Sequence, residues 1–98
     1  MNICDVKVGE NNVLQGFISN IRNKKTMAFI VLRDSTGEIQ LTVEKAKSEK
    51  LSEIVDKLTL ESVITVSGQV VENEFVKLNG IEMLPDDIKI ESIAEPLP

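Results

Sequence analysis

The stretch 27–43 constrains the fold most, because apolar and polar residues alternate in it on both sides of a short turn. Such alternation is typical of half-buried β-strands, whose side chains point alternately to opposite faces. The aliphatic residues that share one face are Ala28, Ile30 and Leu32 before the turn and Ile39, Leu41 and Val43 after it. The stretch therefore predicts a two-stranded hairpin with one aliphatic face.

The length of the turn decides which residues pair, because a slip of one residue sends every side chain to the other face. A four-residue loop, 34–37, pairs Leu32 with Ile39 and keeps the aliphatic residues together. A three-residue loop would instead set Leu32 opposite Gln40. We therefore predict the longer loop, and we expect a positive φ at Gly37, which glycine adopts without strain.

The opposite face of the hairpin carries residue types that suit nucleic acid. Phe29, Val31, Arg33 and Gln40 are predicted to project from it together. An aromatic ring can stack on a base, a guanidinium can hold a phosphate, and an amide can read a base edge. The alternative interpretation is an exposed or loop-covered phenylalanine without a binding role, since single exposed apolar residues are common. The residue types alone leave both interpretations open.

The composition of the 98 residues limits the chemistry of the chain. This length predicts one domain that can bury a core without covalent staples. Cys4 is the only cysteine and histidine is absent, so we expect no internal disulfide, no metal site and no cofactor. The sequence has no signal segment and no apolar run of membrane-spanning length, which predicts a soluble cytoplasmic protein without a membrane partner.

The net charge of −5 argues against a non-specific nucleic acid coat, but the charges are unevenly distributed. Residues 72–95 hold seven acids and two bases, whereas four of the eleven bases lie within 22–33, beside Phe29. Salt screens charges more than about 8–10 Å apart, so a local group matters more than the total. The bases that we predict to hold phosphates are Arg22, Lys24, Lys25 and Arg33.

The rest of the chain adds a strand before the hairpin and a helix and further strands after it. The predicted elements are a strand at 13–21, a helix at 45–58, a strand at 62–71, a fifth strand within 75–83 and a short strand at 88–92. Apart from the short strand at 88–92, the order is three strands, a helix and two strands. This is the order of the OB-fold, an all-β five-stranded Greek-key barrel with one helix. The predicted interior residues are Ile30, Leu32, Ile39, Leu41, Leu51, Val55, Ile64 and Val66.

Smaller signals mark the ends and bends of these elements. Gly16 predicts a bend or bulge in the first strand, and Ser48 is the expected N-cap of the helix. OB-folds commonly bind ligands on the face of strands two and three and on the loops between strands 1–2 and 4–5. Lys24 and Lys25 fall in the first of these loops. The second loop, predicted at 72–74, is acidic and a poor phosphate grip.

Four motifs together resemble one known family. They are G-F-I-x-x-I-R at 16–22, F-I-V-L-R-D-x-T-G-x-I-Q at 29–40, V-x-G-x-V at 66–70 and N-G-I-E at 79–82. The set is similar to the N-terminal anticodon-binding domain of class IIb aminoacyl-tRNA synthetases, most of all the aspartyl enzymes, then the asparaginyl and lysyl ones. The resemblance covers nearly the whole chain, and the motif at 29–40 is its specific part.

The resemblance implies a partner and a set of roles. The partner is tRNA, bound through its anticodon loop, with Phe29 stacked on the central uridine and Gln40 bonded to the edge of that base. Arg22 would lie near the anticodon backbone, and Glu82 near the anticodon bases. The alternative for Glu82 is an acid that faces solvent in an acidic segment.

The resemblance also implies that residues 1–93 form the OB-fold domain and that 94–98 begin a linker toward a catalytic domain. An ATP-dependent aspartate or asparagine–tRNA ligase needs a large catalytic sheet that 98 residues cannot supply. We therefore expect a binding module and not an enzyme. The parent enzyme is expected to be a homodimer, and this domain alone a monomer.

Two other functions stay open at the level of sequence. One is a free-standing OB-fold protein that binds single-stranded nucleic acid without sequence preference, although three phenylalanines and the acidic balance weigh against it. The other is a protein-interaction OB domain in which Phe29 contacts a partner chain. Binding of tRNA with and without a matching anticodon separates these hypotheses.

Overall fold

Five strands close into a barrel in the computed structural model, which describes residues 2–93. Strands β1 and β2, β2 and β3, β1 and β4, and β4 and β5 pair antiparallel, and β3 pairs with β5 in parallel. This is the predicted order of strands and helix, and it confirms the OB-fold. The elements are β1 (Asn11–Asn23), β2 (Met27–Arg33), β3 (Glu38–Glu44), α1 (Glu49–Lys57), β4 (Val63–Glu72) and β5 (Ile81–Ser92).

The register predicted for the hairpin is confirmed. Leu32 lies opposite Ile39, Ile30 opposite Leu41, and Arg33 opposite Glu38. The aliphatic face points into the barrel and the mixed face points outward. All of the predicted interior residues are buried, namely Ile30, Leu32, Ile39, Leu41, Leu51, Val55, Ile64 and Val66.

The expectation of a positive φ at Gly37 is wrong, since Gly37 is not among the positive-φ residues. The turn is shaped instead by the Asp34 carboxylate. Its Oδ1 accepts hydrogen bonds from the backbone N–H groups of Thr36 at 2.7 Å and Gly37 at 3.1 Å. An aspartate that binds the backbone two and three residues later builds a turn by itself, so no left-handed residue is needed.

Strand β1 changes partner halfway along its length. Its first part pairs with β4 and its second part with β2, and a register shift lies between Ile18 and Asn20. A side chain at Gly16 would collide with the carbonyl oxygen of Arg33. The predicted irregularity near Gly16 is therefore present, as a close backbone approach followed by a bulge.

The predicted end of the barrel needs correction. The segments 75–83 and 88–92 are not two strands: residues 75–80 form a loop, and one strand, Ile81–Ser92, follows it. Pro85 falls between the two predicted strands but lies inside β5, at a register shift opposite Gly68. Proline is tolerated at such irregularities, and the missing side chain of Gly68 leaves room for the β5 backbone.

The helix is shorter than predicted. Residues Lys45–Lys47 form a 3-10 turn, and α1 starts only at Glu49. The predicted cap is confirmed, because the Ser48 hydroxyl accepts a hydrogen bond from the backbone N–H of Leu51 at 3.2 Å. The apolar stripe of the helix, including Leu51 and Val55, packs into the barrel core.

Three further expectations concern the linker, a membrane-spanning segment and a metal site. The linker predicted at 94–98 lies outside the described residues. No helix within 2–93 is long and apolar enough to cross a membrane. In the same range no group of three or more histidine, cysteine, aspartate or glutamate side chains is arranged to hold a metal ion.

Candidate nucleic-acid interface

The outward-pointing residues of four adjacent strands form two rows. Residues that lie directly opposite on paired strands point to the same side of the sheet. The first row consists of Arg22, Phe29 and Thr42, and the second of Asn20, Val31, Gln40 and Glu82. The barrel thus brings the predicted residues Arg22, Phe29, Gln40 and Glu82 onto one surface, which we call the outer face.

A groove of about 820 Å³ runs over the outer face. Strands β1, β2 and β3 form its floor, and the loop between β4 and β5 contributes to its lining. The lining residues are Ser19, Asn20, Arg22, Lys24, Phe29, Val31, Glu38, Gln40, Phe75, Lys77 and Leu78. We call this the β2–β3 groove.

The groove has two phenylalanines with different surroundings. Phe29 is half-buried among its strand neighbours, so its position is fixed while part of the ring stays accessible. Phe75 is 86% exposed at the edge of the groove. A base on Phe29 therefore meets a rigid aromatic surface, and Phe75 offers a second, more exposed one.

The charges that line the groove are mostly positive. Arg22, Lys24 and Lys77 are bases, and Glu38 is the one acid among the lining residues. Glu38 lies 3.8 Å from the Arg33 side chain. The groove thus offers a local cationic surface on a chain that is acidic as a whole.

Two predicted phosphate-binding residues lie outside the lining of the groove. Arg33 is exposed at the end of β2, beside Glu38, and Lys25 is exposed in the connection after β1. The phosphate roles of both residues stay predictions. Of the predicted basic group, Arg22 and Lys24 are the two that reach the groove.

The basic connection between β1 and β2 is held in place from both sides. The backbone N–H of Lys45 donates to the carbonyl of Thr26 at 3.0 Å. The Asn23 amide donates to the Asp56 carboxylate of α1 at 2.8 Å. This hydrogen bond, together with the charge of Lys45, lowers the pKa of Asp56. The connection that carries Lys24 is therefore anchored to the helix.

Gln40 belongs to a short chain of hydrogen bonds on the outer face. Its Nε2 donates to the Thr42 hydroxyl at 3.1 Å, and that hydroxyl donates to Oε2 of Glu82 at 2.7 Å. Thr42 is buried beneath its neighbours, although it points outward. Glu82 is half-buried and accepts the hydrogen bond of Thr42, and its place near the anticodon bases stays a prediction.

The loop between β4 and β5 was predicted at 72–74 and judged a poor phosphate grip, but it extends to residue 80 and brings Phe75 and Lys77 to the groove. Its backbone is closed by the Asn73 N–H, which donates to the carbonyl of Gly80 at 2.8 Å, and by the Asn73 side chain, which accepts from the Phe75 N–H at 3.1 Å. Val76 is buried and anchors the loop. The available signal was the Asn79-Gly80 pair, since both residues have a positive φ, as in a turn. Reading a turn there would have left Phe75 and Lys77 in the loop.

The comparison with known families decides what kind of domain this is. Residues 13–91 match the tRNA anti-codon family, which is described as an OB-fold nucleic acid binding domain. The chain belongs to this family. The match spans all five strands of the barrel and includes every residue that lines the β2–β3 groove. The family is a nucleic acid binding domain and not a catalytic one.

Individual relatives of this OB-fold domain agree with the family. It is 42% identical over 92 residues to the aspartate–tRNA(Asp/Asn) ligase of Methanococcus vannielii, covering 92% of this chain and 21% of that protein. It is 36% identical over 91 residues to the aspartate–tRNA ligase of Lactobacillus johnsonii, covering 93% of this chain and 14% of that protein. The chain thus spans about a fifth or less of the length of these relatives.

A solved structure shows the same fold. The asparaginyl-tRNA synthetase of Pyrococcus horikoshii, complexed with asparaginyl-adenylate, matches all of this chain with 23% of its own length. The TM-score is 0.87 and the sequence identity is 26%. A domain of the same fold therefore occurs within the longer chain of that synthetase.

Proposed function

We propose that this chain recognises the anticodon of tRNA as a domain of an aspartate-type or asparagine-type tRNA ligase, and that the β2–β3 groove holds the anticodon loop. The observation that carries the proposal is the joint lining of one groove by Arg22, Phe29 and Gln40, in a domain of the anti-codon family. The proposal assigns aminoacylation to other parts of a ligase and only binding to this chain.

We assign different parts of RNA binding to different residues of the groove, according to their chemistry. Stacking on Phe29 contributes roughly 1–3 kcal/mol and accepts any base, because every base has a π-face. Arg22, Lys24 and Lys77 attract phosphates, which position the loop without reading its sequence. Gln40 is a polar side chain of the row next to Phe29, and it lines the groove. We assign to it the reading of the central base, a uridine.

The experiment measures binding of RNA hairpins that carry an anticodon loop with each of the four bases at its centre. Phe29→Ala should weaken binding of the uridine loop by roughly 1–3 kcal/mol, because the stacking surface is lost. Phe17→Ala is the matched control, since Phe17 is 38% exposed on β1 and does not line the groove. Thermal unfolding of both variants verifies that the barrel remains folded.

The outcomes separate the proposal from its alternatives. Equal affinity of Phe29→Ala and the parent protein would remove Phe29 from the site. Equal binding of all four loops by the parent protein would favour a binder of single-stranded nucleic acid without sequence preference. No binding of any loop would favour a protein partner for the outer face.

The proposal extends to assembly and compartment. We infer that the parent ligase is a cytoplasmic homodimer and that this domain alone is a monomer. The support is the resemblance to class IIb synthetases, in which a catalytic part makes up the rest of the chain. Light scattering of the isolated chain tests the second statement, and a dimer of this chain would contradict it.

A further inference from the structure

The side-chain amide of Gln40 has a direction, and that direction decides what the groove can read. An amide presents a carbonyl oxygen as acceptor on one side and an NH₂ group as donor on the other. A free glutamine can turn this amide over, and it would then serve uracil and cytosine equally well. Gln40 can discriminate between bases only if its neighbours prevent that rotation.

The neighbours of Gln40 define the direction through the two hydrogen bonds on the outer face. The Glu82 carboxylate only accepts, so the Thr42 hydroxyl must give its proton to it across 2.7 Å. The hydroxyl oxygen is then left with lone pairs and needs a donor. Gln40 supplies that donor with Nε2 at 3.1 Å. A reversed amide would bring two acceptor oxygens together.

We propose that Thr42, supported by Glu82, is a positioning residue that holds the Gln40 amide in one orientation and so lets the groove distinguish uracil from cytosine. This inference rests on the proposed function. No hydrogen bond to Oε1 of Gln40 is found among residues 2–93, so that oxygen is free to accept from a ligand.

The base chemistry follows from the orientation of the amide. At the Watson–Crick edge, uracil presents N3–H as donor and O4 as acceptor, whereas cytosine presents N3 as acceptor and its N4 amino group as donor. Replacing one base by the other in the same stacked position reverses both groups. With Oε1 of Gln40 facing the ring nitrogen, uracil forms the hydrogen bond and cytosine sets two acceptors against each other.

Burial makes this positioning effective. Thr42 is only 8% exposed, so water has little access to the hydroxyl that links the two side chains. Gln40 and Glu82 are directly opposite on the parallel strands β3 and β5, and their backbones are fixed by the barrel. A buried donor or acceptor left without a partner is costly, which favours the fully paired arrangement.

The test compares the affinity ratio for anticodon hairpins with uridine or cytidine at the centre. The parent protein should prefer uridine on the order of tenfold, the size of one misplaced hydrogen bond. Thr42→Val, which keeps the shape and removes the hydroxyl, should bring the ratio close to one by raising cytidine binding relative to uridine. Thr42→Ser keeps the hydroxyl and should restore the preference.

A second variant tests the role of Glu82 while leaving Thr42 in place. Glu82→Gln replaces the acceptor-only group by one that can also donate, so the hydroxyl no longer has a fixed direction. The uridine preference should fall in this variant too. Thermal unfolding of each protein shows whether it is still folded. If Thr42→Val is unfolded, the uridine preference of Glu82→Gln tests the inference in its place.

The orientation can also be read without RNA. In NMR spectra of the free protein, rotation of the Gln40 NH₂ group should be slower in the parent protein and Thr42→Ser than in Thr42→Val. An unchanged uridine-to-cytidine ratio in both Thr42→Val and Glu82→Gln would overturn the inference. Failure of the parent protein to bind any hairpin would instead overturn the proposed function, and this inference with it.

Discussion

Asp34 connects the N-terminal segment to the turn between β2 and β3. Its Oδ2 accepts a hydrogen bond from the backbone N–H of Ile3 at 2.9 Å, while its Oδ1 accepts from Thr36 and Gly37. Desolvation acts to raise the pKa of this carboxyl, but the hydrogen bonds from Thr36, Ile3 and Gly37 together outweigh it. The pKa of Asp34 therefore lies below its ordinary value of 3.8.

This pKa predicts a pH-dependent contribution of Asp34 to stability. Because the pKa of Asp34 is lower in the folded than in the unfolded protein, ionised Asp34 contributes to stability above pH 3.8. This contribution is lost as the pH falls through the pKa of the folded state. Asp34→Asn should be less stable than the parent protein at neutral pH, and the difference should narrow below about pH 4. Urea unfolding between neutral pH and about pH 2 measures this difference.

The control for Asp34 is Asp86→Asn, which removes an exposed carboxyl for which no hydrogen bond is found among residues 2–93. Its stability difference from the parent protein should be small at neutral pH. A difference for Asp34→Asn that stays constant over the whole pH range would contradict the assigned role of the carboxylate.

Single residues differ in how far their roles follow from sequence. The outward direction of Phe29 follows from strand alternation, because neighbouring residues in a strand point to opposite faces. The contact between Thr42 and Glu82 joins residues that are 40 positions apart. No local pattern encodes such a contact, so the orientation of Gln40 emerges only once β3 and β5 are paired.

At the scale of elements, β4 and β5 are fitted to each other at one glycine. Gly68 lies in β4 opposite Pro85, at a shift of register. An added side-chain carbon would collide with the carbonyl oxygen of Leu84 and lie 2.8 Å from the Cα of Pro85. Both contacts are with backbone, which cannot move aside as a flexible side chain can.

A pair of alanine substitutions tests this fit. Gly68→Ala should destabilise the barrel by about 1–3 kcal/mol, the usual cost of overpacking. Gly37→Ala should be close to neutral or slightly stabilising, because its nearest contact would be the Ile3 side chain at 3.8 Å and its φ is not positive. Urea unfolding of both variants measures their free energies of unfolding. Equal losses of stability in Gly68→Ala and Gly37→Ala would contradict a close fit of β5 at Gly68.

The same elements show why some boundaries were predicted and others were not. The β2–β3 hairpin has regular alternation and a short turn, so its register followed from pattern alone. The β4–β5 loop contains apolar residues that resemble a strand, yet Val76 is buried as a loop anchor while Phe75 is exposed. Pro85 also hid the continuity of β5, because its position inside the strand depends on Gly68 of β4, which lies opposite it.

At the scale of the whole molecule, Glu38 is the one acid in the lining of the β2–β3 groove, and several other acids are engaged elsewhere. Asp87 pairs with Lys50 of α1 at 3.1 Å, and Glu91 accepts a hydrogen bond from Thr65 at 2.9 Å. Glu82 is engaged with Thr42. None of these acids lines the β2–β3 groove. A chain with net charge −5 can therefore present a cationic binding surface.

The whole-molecule charge distribution predicts the salt dependence of RNA binding. If Arg22, Lys24 and Lys77 each displace a counterion from a single-stranded loop, the logarithm of affinity should fall against the logarithm of salt concentration with a slope of about −2. This slope is shallow, so we expect the isolated domain to bind weakly. In a full ligase, a second tRNA-binding surface on the same chain would raise the affinity by linkage.

Two neighbouring lysines make a matched test of this surface. Lys24 lines the groove and Lys25 does not, although both are exposed in the same connection. Lys24→Gln should weaken all anticodon loops alike and reduce the slope by about 0.7, because phosphates carry no sequence information. Lys25→Gln should change the affinity for the loops and the salt slope less than Lys24→Gln does. A changed base preference in Lys24→Gln would contradict a phosphate-binding role for Lys24. A salt slope near zero in the parent protein would favour a protein partner for the outer face.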